Sequence, residues 1–242
     1  MTTTAPITTT PGPASAIRRP RFGFALAIVT QIAMMTGASA PSPFYPVLAA
    51  EIGFDAIVIS AVFAVYAIAL LLALLSAGSL SDHIGRRPVA IGGLLLLAGS
   101  MLLFWHADSV ATLMLARILQ GAASGVLIAA LSAAALDLAP GGRSRVAALW
   151  NALSPGIGLA LGALVSGIAL DVTGQPLLDV FAPLTVIYLV LAALFFLAPE
   201  TAPLHPGAWG SLSFRLSVPA GIRSDFWRCL LYTSPSPRDV EE

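Results

Sequence analysis

Six stretches of this chain are long and apolar enough to cross a bilayer, and between them they leave little sequence for any other architecture. They run from Phe22 to Ala40, Ile57 to Ala77, Val89 to Trp105, Val110 to Leu136, Val146 to Leu170 and Val180 to Ala198. A helix rising about 1.5 Å per residue needs roughly 20 apolar residues to span about 30 Å of hydrocarbon. Five of the stretches carry no charge, and the fourth carries only Arg117. Composition agrees: charged residues make up 10% of the 242 residues, against about 25% in soluble domains. The expectation is an all-α membrane protein with the lipid bilayer as its first partner.

Charge placement orients the spans. All 12 basic residues are Arg. Arg18, Arg19 and Arg21 precede the first span, Arg86 and Arg87 follow the second, Arg143 and Arg145 follow the fourth, and Arg215 and Arg223 follow the sixth. The alternate connections hold Glu51, Asp55, His106, Asp108, Asp171 and Asp179 and no Arg. The positive-inside rule then puts both ends of the six-helix unit in the cytoplasm of a bacterial-type inner membrane. A net charge of zero says nothing by itself about partners, because what matters is which side of each span the charges occupy; no nucleic-acid partner is expected.

Residues 1–20, rich in Thr, Pro and Ala, read as a disordered cytoplasmic arm. Residues 21–199 form the bundle. Pro41, Pro43 and Pro46 end the first helix, and Phe44 and Tyr45 suit the headgroup region as anchors. Pro140, Gly141 and Gly142 make a tight turn that forces antiparallel neighbours.

Small residues recur every fourth position in two spans: Gly121, Gly125 and Ala129, then Ser154, Gly158, Gly162 and Ser166. Both stripes contain GxxxG and suit close helix packing in lipid, with Pro155 as a kink within the second. The connection from Gly78 to Pro88, GSLSDHIGRRP, shares its Gly, Asp, Gly spacing with GIALDVTGQPL from Gly167 to Leu177. Gly78, Asp82 and Gly85 align with Gly167, Asp171 and Gly174, each trio following the second helix of a three-helix set. Three is odd, so the second copy lies inverted in the membrane, as in many transporter folds. The bland reading is that Gly and Asp are common in turns.

The stretch from Gly78 to Arg87 resembles the signature between helices two and three of the major facilitator superfamily. Gly78, Asp82, Gly85, Arg86 and Arg87 fall at its pattern positions. Arg117, Gln120 and Gly121 resemble its fourth-helix motif, and Pro199, Glu200 and Thr201 a common ending of its sixth helix. The resemblance covers about residues 20 to 228 and implies one half of a twelve-helix fold, completed by a C-terminal six-helix half. It further implies a conformational latch built on Asp82, Arg86 and Arg87, with Asp137 as an accessory acid. Physically, a carboxylate and guanidinium groups at a membrane boundary form charge-assisted bonds stronger than exposed ones. The alternative is that Arg86 and Arg87 only set orientation and Asp137 is a plain helix-end charge.

Arg117 lies well inside its span, where insertion scales put an Arg at about +2.5 to +3.5 kcal/mol. It either faces a bundle interior or snorkels to the surface. With Gln120, one turn on, it offers a site for an anionic group or a proton-coupling step. No acidic residue lies within the six stretches to partner it. Other candidates for the solute path are Gln31, Tyr66 and Asn151, with Thr30 and Thr36 beside them. The fifth-span sequence from Ser154 to Ala163 partly resembles an antiporter motif, with Pro155 and Gly156 in reversed order, and leans toward efflux.

The chemistry of other classes is missing. His83, His106 and His205 occupy separate connections and Cys229 is the lone cysteine, so no metal site, cofactor or enzyme is expected. No Gly-rich loop with Lys suggests ATP, which leaves an ion gradient, with protons favoured, to drive a small solute by alternating access. A six-helix channel or a non-transporting scaffold is the alternative. Residues 200–228 read as a truncated central cytoplasmic loop. The sequence CLLYTSPSPRDVEE at 229–242 reads as a non-native tail on a truncated half.

Overall fold

The computed structural model describes residues 18–77, 85–139 and 144–198. Gly78 and Asp82, the turn at Pro140 to Gly142, the loop 200–228 and the tail 229–242 lie outside the described residues. Six long helices appear where the apolar stretches run: α1 (Arg18–Ser39), α3 (Ala56–Ala77), α4 (Arg86–Trp105), α5 (Val110–Asp137), α6 (Ser144–Val172) and α7 (Pro176–Phe195). Each is long and apolar enough to cross a membrane.

The ends follow local chemistry. Ser109 caps α5 by accepting a hydrogen bond from the Thr112 N–H at 3.2 Å. The Asp55 carboxylate accepts from the Ile57 and Val58 N–H groups at the start of α3. Gly85 precedes α4 at φ +101°, a conformation that favours glycine. Its counterpart Gly174 lacks a positive φ, so the two copies of the loop motif share spacing without sharing this conformation. The sixth span starts four residues earlier than its charge-free stretch. Pro176 suits a first helical turn, and Asp179 in that turn faces the positive end of the helix dipole.

One element departs from the sequence reading. The prolines after α1 do not make a bare loop: a 3-10 turn (Ser42–Phe44) leads into a short helix, α2 (Tyr45–Ile52), closed by Gly53 at φ +83°. Pro46 falls in the first turn of α2, where a proline costs no hydrogen bond. Phe44 and Tyr45 are therefore not headgroup anchors. Each is 1% exposed, turned inward by α2.

Packing follows in part the inverted-repeat exchange of first with fourth, second with fifth and third with sixth span; the extensive α4–α5 contact has only a slight α7–α1 counterpart. The second span, α3, packs on the fourth, α5; the fifth, α6, packs on the first, α1; and the third and sixth, α4 and α7, pack on each other. Glycines allow the two close crossings. A Cβ on Gly121 or Gly125 would strike the Tyr66 or Leu70 carbonyl of α3, and one on Gly158 or Gly162 the Ile32 or Thr36 carbonyl of α1. Helix α6 buries only small residues: Ala147, Ser154, Gly158, Gly162, Ser166 and Ala169. Its Leu164 and Ile168, like Ile68 and Leu71 of α3, are more than half exposed.

Candidate solute-pathway site

The decisive local fact is where α1 stops. The last four carbonyls of a helix have no N–H partner four residues on. Thr36 O still receives the Ala40 N–H at 3.0 Å. Gly37 O would look to residue 41, a proline with no N–H, and the chain has left α1 by residue 42. Side chains of α5 fill both places. Gln120 Nε2 donates to Gly37 O at 2.7 Å, and Arg117 Nη1 donates to Ala38 O at 3.1 Å.

Arg117 is 1% exposed, which settles its direction: it faces the bundle interior and does not snorkel. Nη1 also donates to Gln120 Oε1 at 2.6 Å, and Nε donates to the Tyr45 hydroxyl. The rings of Tyr45, Phe63, Tyr66 and Phe104 surround the guanidinium at 5.3 to 5.5 Å, within cation–π range. The buried charge thus finds helix-end carbonyls, whose partial charge is negative, together with a phenol and four π faces. Among the described residues, no carboxylate contributes. Nη2 has no hydrogen-bond partner among the described residues.

The sequence candidates divide into two groups. Tyr66 joins Arg117 and Gln120. Gln31 and Asn151 meet instead at Ser132: Gln31 Nε2 lies 3.3 Å from its hydroxyl, and Asn151 Nδ2 donates to its carbonyl at 3.4 Å. That carbonyl can only accept, so the Asn151 amide nitrogen faces it and Oδ1 faces away. Asn151 Oδ1, Gln31 Oε1 and Thr30 Oγ1 are buried without hydrogen-bond partners among the described residues. Thr36 Oγ1 bonds back to Ile32 O at 2.9 Å.

Sequence reasoning missed Tyr45, Ser132 and Tyr188. Tyr188 is fully buried, and its hydroxyl donates to Ala33 O at 3.0 Å, beside a Gly37 whose missing side chain makes room for it. The signal for Tyr45 was available: proline in a first turn and glycine just past the end bracket α2. Ser132 carried no such mark.

At the other end of the bundle, Arg86 pairs with Asp137. The Arg87 guanidinium lies 5.5 Å from the centre of the Phe196 ring. Gly85 sets the turn into α4 that places both arginines.

A family profile described as Major Facilitator Superfamily matches residues 27–235. The chain belongs to the Major Facilitator Superfamily. It is 30% identical over 145 residues to an uncharacterized MFS-type transporter, YhjO, of Bacillus subtilis (strain 168), covering 60% of this chain and 35% of that one. A crystal structure of the peptide transporter POT in complex with sulfate shares the fold at TM-score 0.60 and 18% identity. The match covers 91% of this chain and 47% of the transporter. The matched parts thus cover less than half the length of both relatives. It is a multi-pass membrane protein of a transporter family.

Proposed function

We propose that this chain supplies one wall of a secondary active transporter that moves a small solute by alternating access, coupled to protons and directed toward efflux. The observation that carries the reading is the buried Arg117 group at the junction of α1, α2 and α5. Its unpaired Nη2 is a donor held ready for an anionic or carbonyl acceptor, on the solute or on a facing helix. Where that acceptor is a carboxylate, on the solute or on a facing helix of the second bundle, the guanidinium favours its ionised form and so couples its arrival to proton release. The exposed apolar faces of α3 and α6 then pack against a second six-helix bundle. Both ends of the present bundle lie in the cytoplasm, because the arginines gather at that end. There Arg86, Arg87 and Asp137, with Gly78 and Asp82, hold one access state. The partly matched motif around Pro155 supports the outward direction.

Proteoliposomes containing this bundle together with its completing second six-helix bundle, and a trapped pH-sensitive dye, test the reading. A panel of amine, hydroxylated and carboxylate solutes is added to one side. Saturable, solute-dependent proton movement that disappears in Arg117→Leu is the expected result; unsaturable conductance indicates a channel and rejects it.

A further inference from the structure

At the end of the bundle opposite the Arg86–Asp137 pair, a cavity of about 280 Å³ opens between α2, the end of α4 and the α6–α7 connection. This is near the lower limit of roughly 300 Å³ for small-molecule sites. Its floor is the buried pair Phe44 and Leu48, its walls include Trp105 and Leu170, and its rim holds Glu51 and Gln175. Glu51 is the only ionisable side chain among those lining it.

We propose that this cavity binds an amphiphilic organic cation, with the charged group at Glu51 and the apolar body against Phe44, Leu48 and Trp105. Three observations select this chemistry. First, Glu51 has no hydrogen-bond or ion-pair partner among the described residues. The nearby acids Asp55 and Asp108 are occupied, by the N–H groups of α3 and by the Thr112 hydroxyl. Second, the connections at this end hold Glu51, Asp55, Asp108, Asp171 and Asp179 and no Lys or Arg, so the local field favours cations. Third, the indole of Trp105, which also contacts the His106 ring at 4.6 Å, adds aromatic surface to an apolar floor, a pairing that suits quaternary ammonium groups. The start of α7 also borders the cavity and would disfavour a cation. Pro176 removes one of its N–H groups, however, and Asp179 in its first turn offsets the rest. The site lies apart from Arg117 and does not depend on proton coupling.

The test is equilibrium binding of radiolabelled phenyltrimethylammonium to the full chain in a neutral maltoside micelle, with protein-free micelles subtracted. Saturable binding is expected, with the neutral isostere tert-butylbenzene competing about fivefold more weakly. Glu51→Gln weakens the cation by about fivefold, as an exposed charge partner warrants. Val47→Trp, which fills the cavity, abolishes binding while the melting temperature stays at the parent value. Unsaturable uptake, or undiminished affinity in Glu51→Gln, overturns the proposal. Equal competition by the neutral isostere reduces the site to an apolar cleft and also overturns it.

Discussion

Arg117 and Arg86 are the same side chain in opposite circumstances. Arg117 is buried and, among the described residues, has no carboxylate partner; Arg86 sits at a helix start and pairs with an Asp137 whose side chain is 40% exposed. A simple rule that buried charges need counter-ions would have assigned the acid to the wrong one. What the buried guanidinium requires is hydrogen bonding with suitable partial charge, and the open end of α1 provides it. The Arg86–Asp137 pair is half-buried, with the guanidinium side chain 16% and the carboxylate side chain 40% exposed, so water still reaches the acid and weakens the pair relative to a fully buried one.

The largest effect tests the buried member. Arg117→Leu leaves the Ala38 carbonyl, the Tyr45 hydroxyl and Gln120 Oε1 short of a donor, at a cost of about 1 to 3 kcal/mol for each group left unsatisfied. Insertion of the isolated α5 segment improves, because a charge is removed from the membrane. The melting temperature of the purified protein falls sharply, and coupled flux is lost. A parent-like melting temperature together with parent-like flux would leave Arg117 a bystander.

Next in size are the glycine contacts that set how closely α1 and α5 approach their neighbours. Gly162→Ala places a methyl against the Thr36 carbonyl and the Ser39 hydroxyl and costs about 1 to 3 kcal/mol. Gly156→Ala, on the same helix, meets open space and changes stability by less than about 1 kcal/mol, in the stabilising direction. Thermal unfolding of the two variants side by side measures the difference; equal loss would mean that the α1–α6 crossing does not set the stability.

Tyr45→Phe keeps the aromatic ring beside Arg117 and deletes only the hydroxyl, so a loss of about 1 kcal/mol is expected, with flux reduced but measurable. The smallest effect belongs to the half-buried pair at the other end of the bundle. Asp137→Asn costs under about 1 kcal/mol, and that difference shrinks further at high salt. A drop as large as that of Arg117→Leu would reverse the comparison.

Much of the fold was legible because it rests on properties that the sequence displays directly. Uncharged apolar length locates the spans, and Arg placement sorts their ends. The spacing of Gly121 and Gly125, and of Gly158 and Gly162, marks two faces whose neighbours are now visible in α3 and α1. The fourth-helix motif pointed to Arg117 and Gln120. It did not disclose that both act on the carbonyls of α1, since a backbone acceptor leaves no trace in residue identity. Tyr45 was misplaced for a related reason. An aromatic near a span end suits the headgroup region by composition, and only the turn of α2 directs it inward. Gln31 and Asn151 looked alike in sequence to Tyr66, yet the crossing of three helices at Ser132 separates them from it.

The termination of α1 has a mechanical side. A helix end closed by backbone N–H groups can lengthen or shorten only by breaking its own ladder. At Gly37 and Ala38 the ladder is already open, and movable side chains of α5 hold the two carbonyls. Those side chains can release one acceptor and take another without unwinding a turn, so α1 and α5 can shift relative to each other by exchanging a few hydrogen bonds. Proline at position 41 makes this possible by removing the N–H that would otherwise have locked the joint.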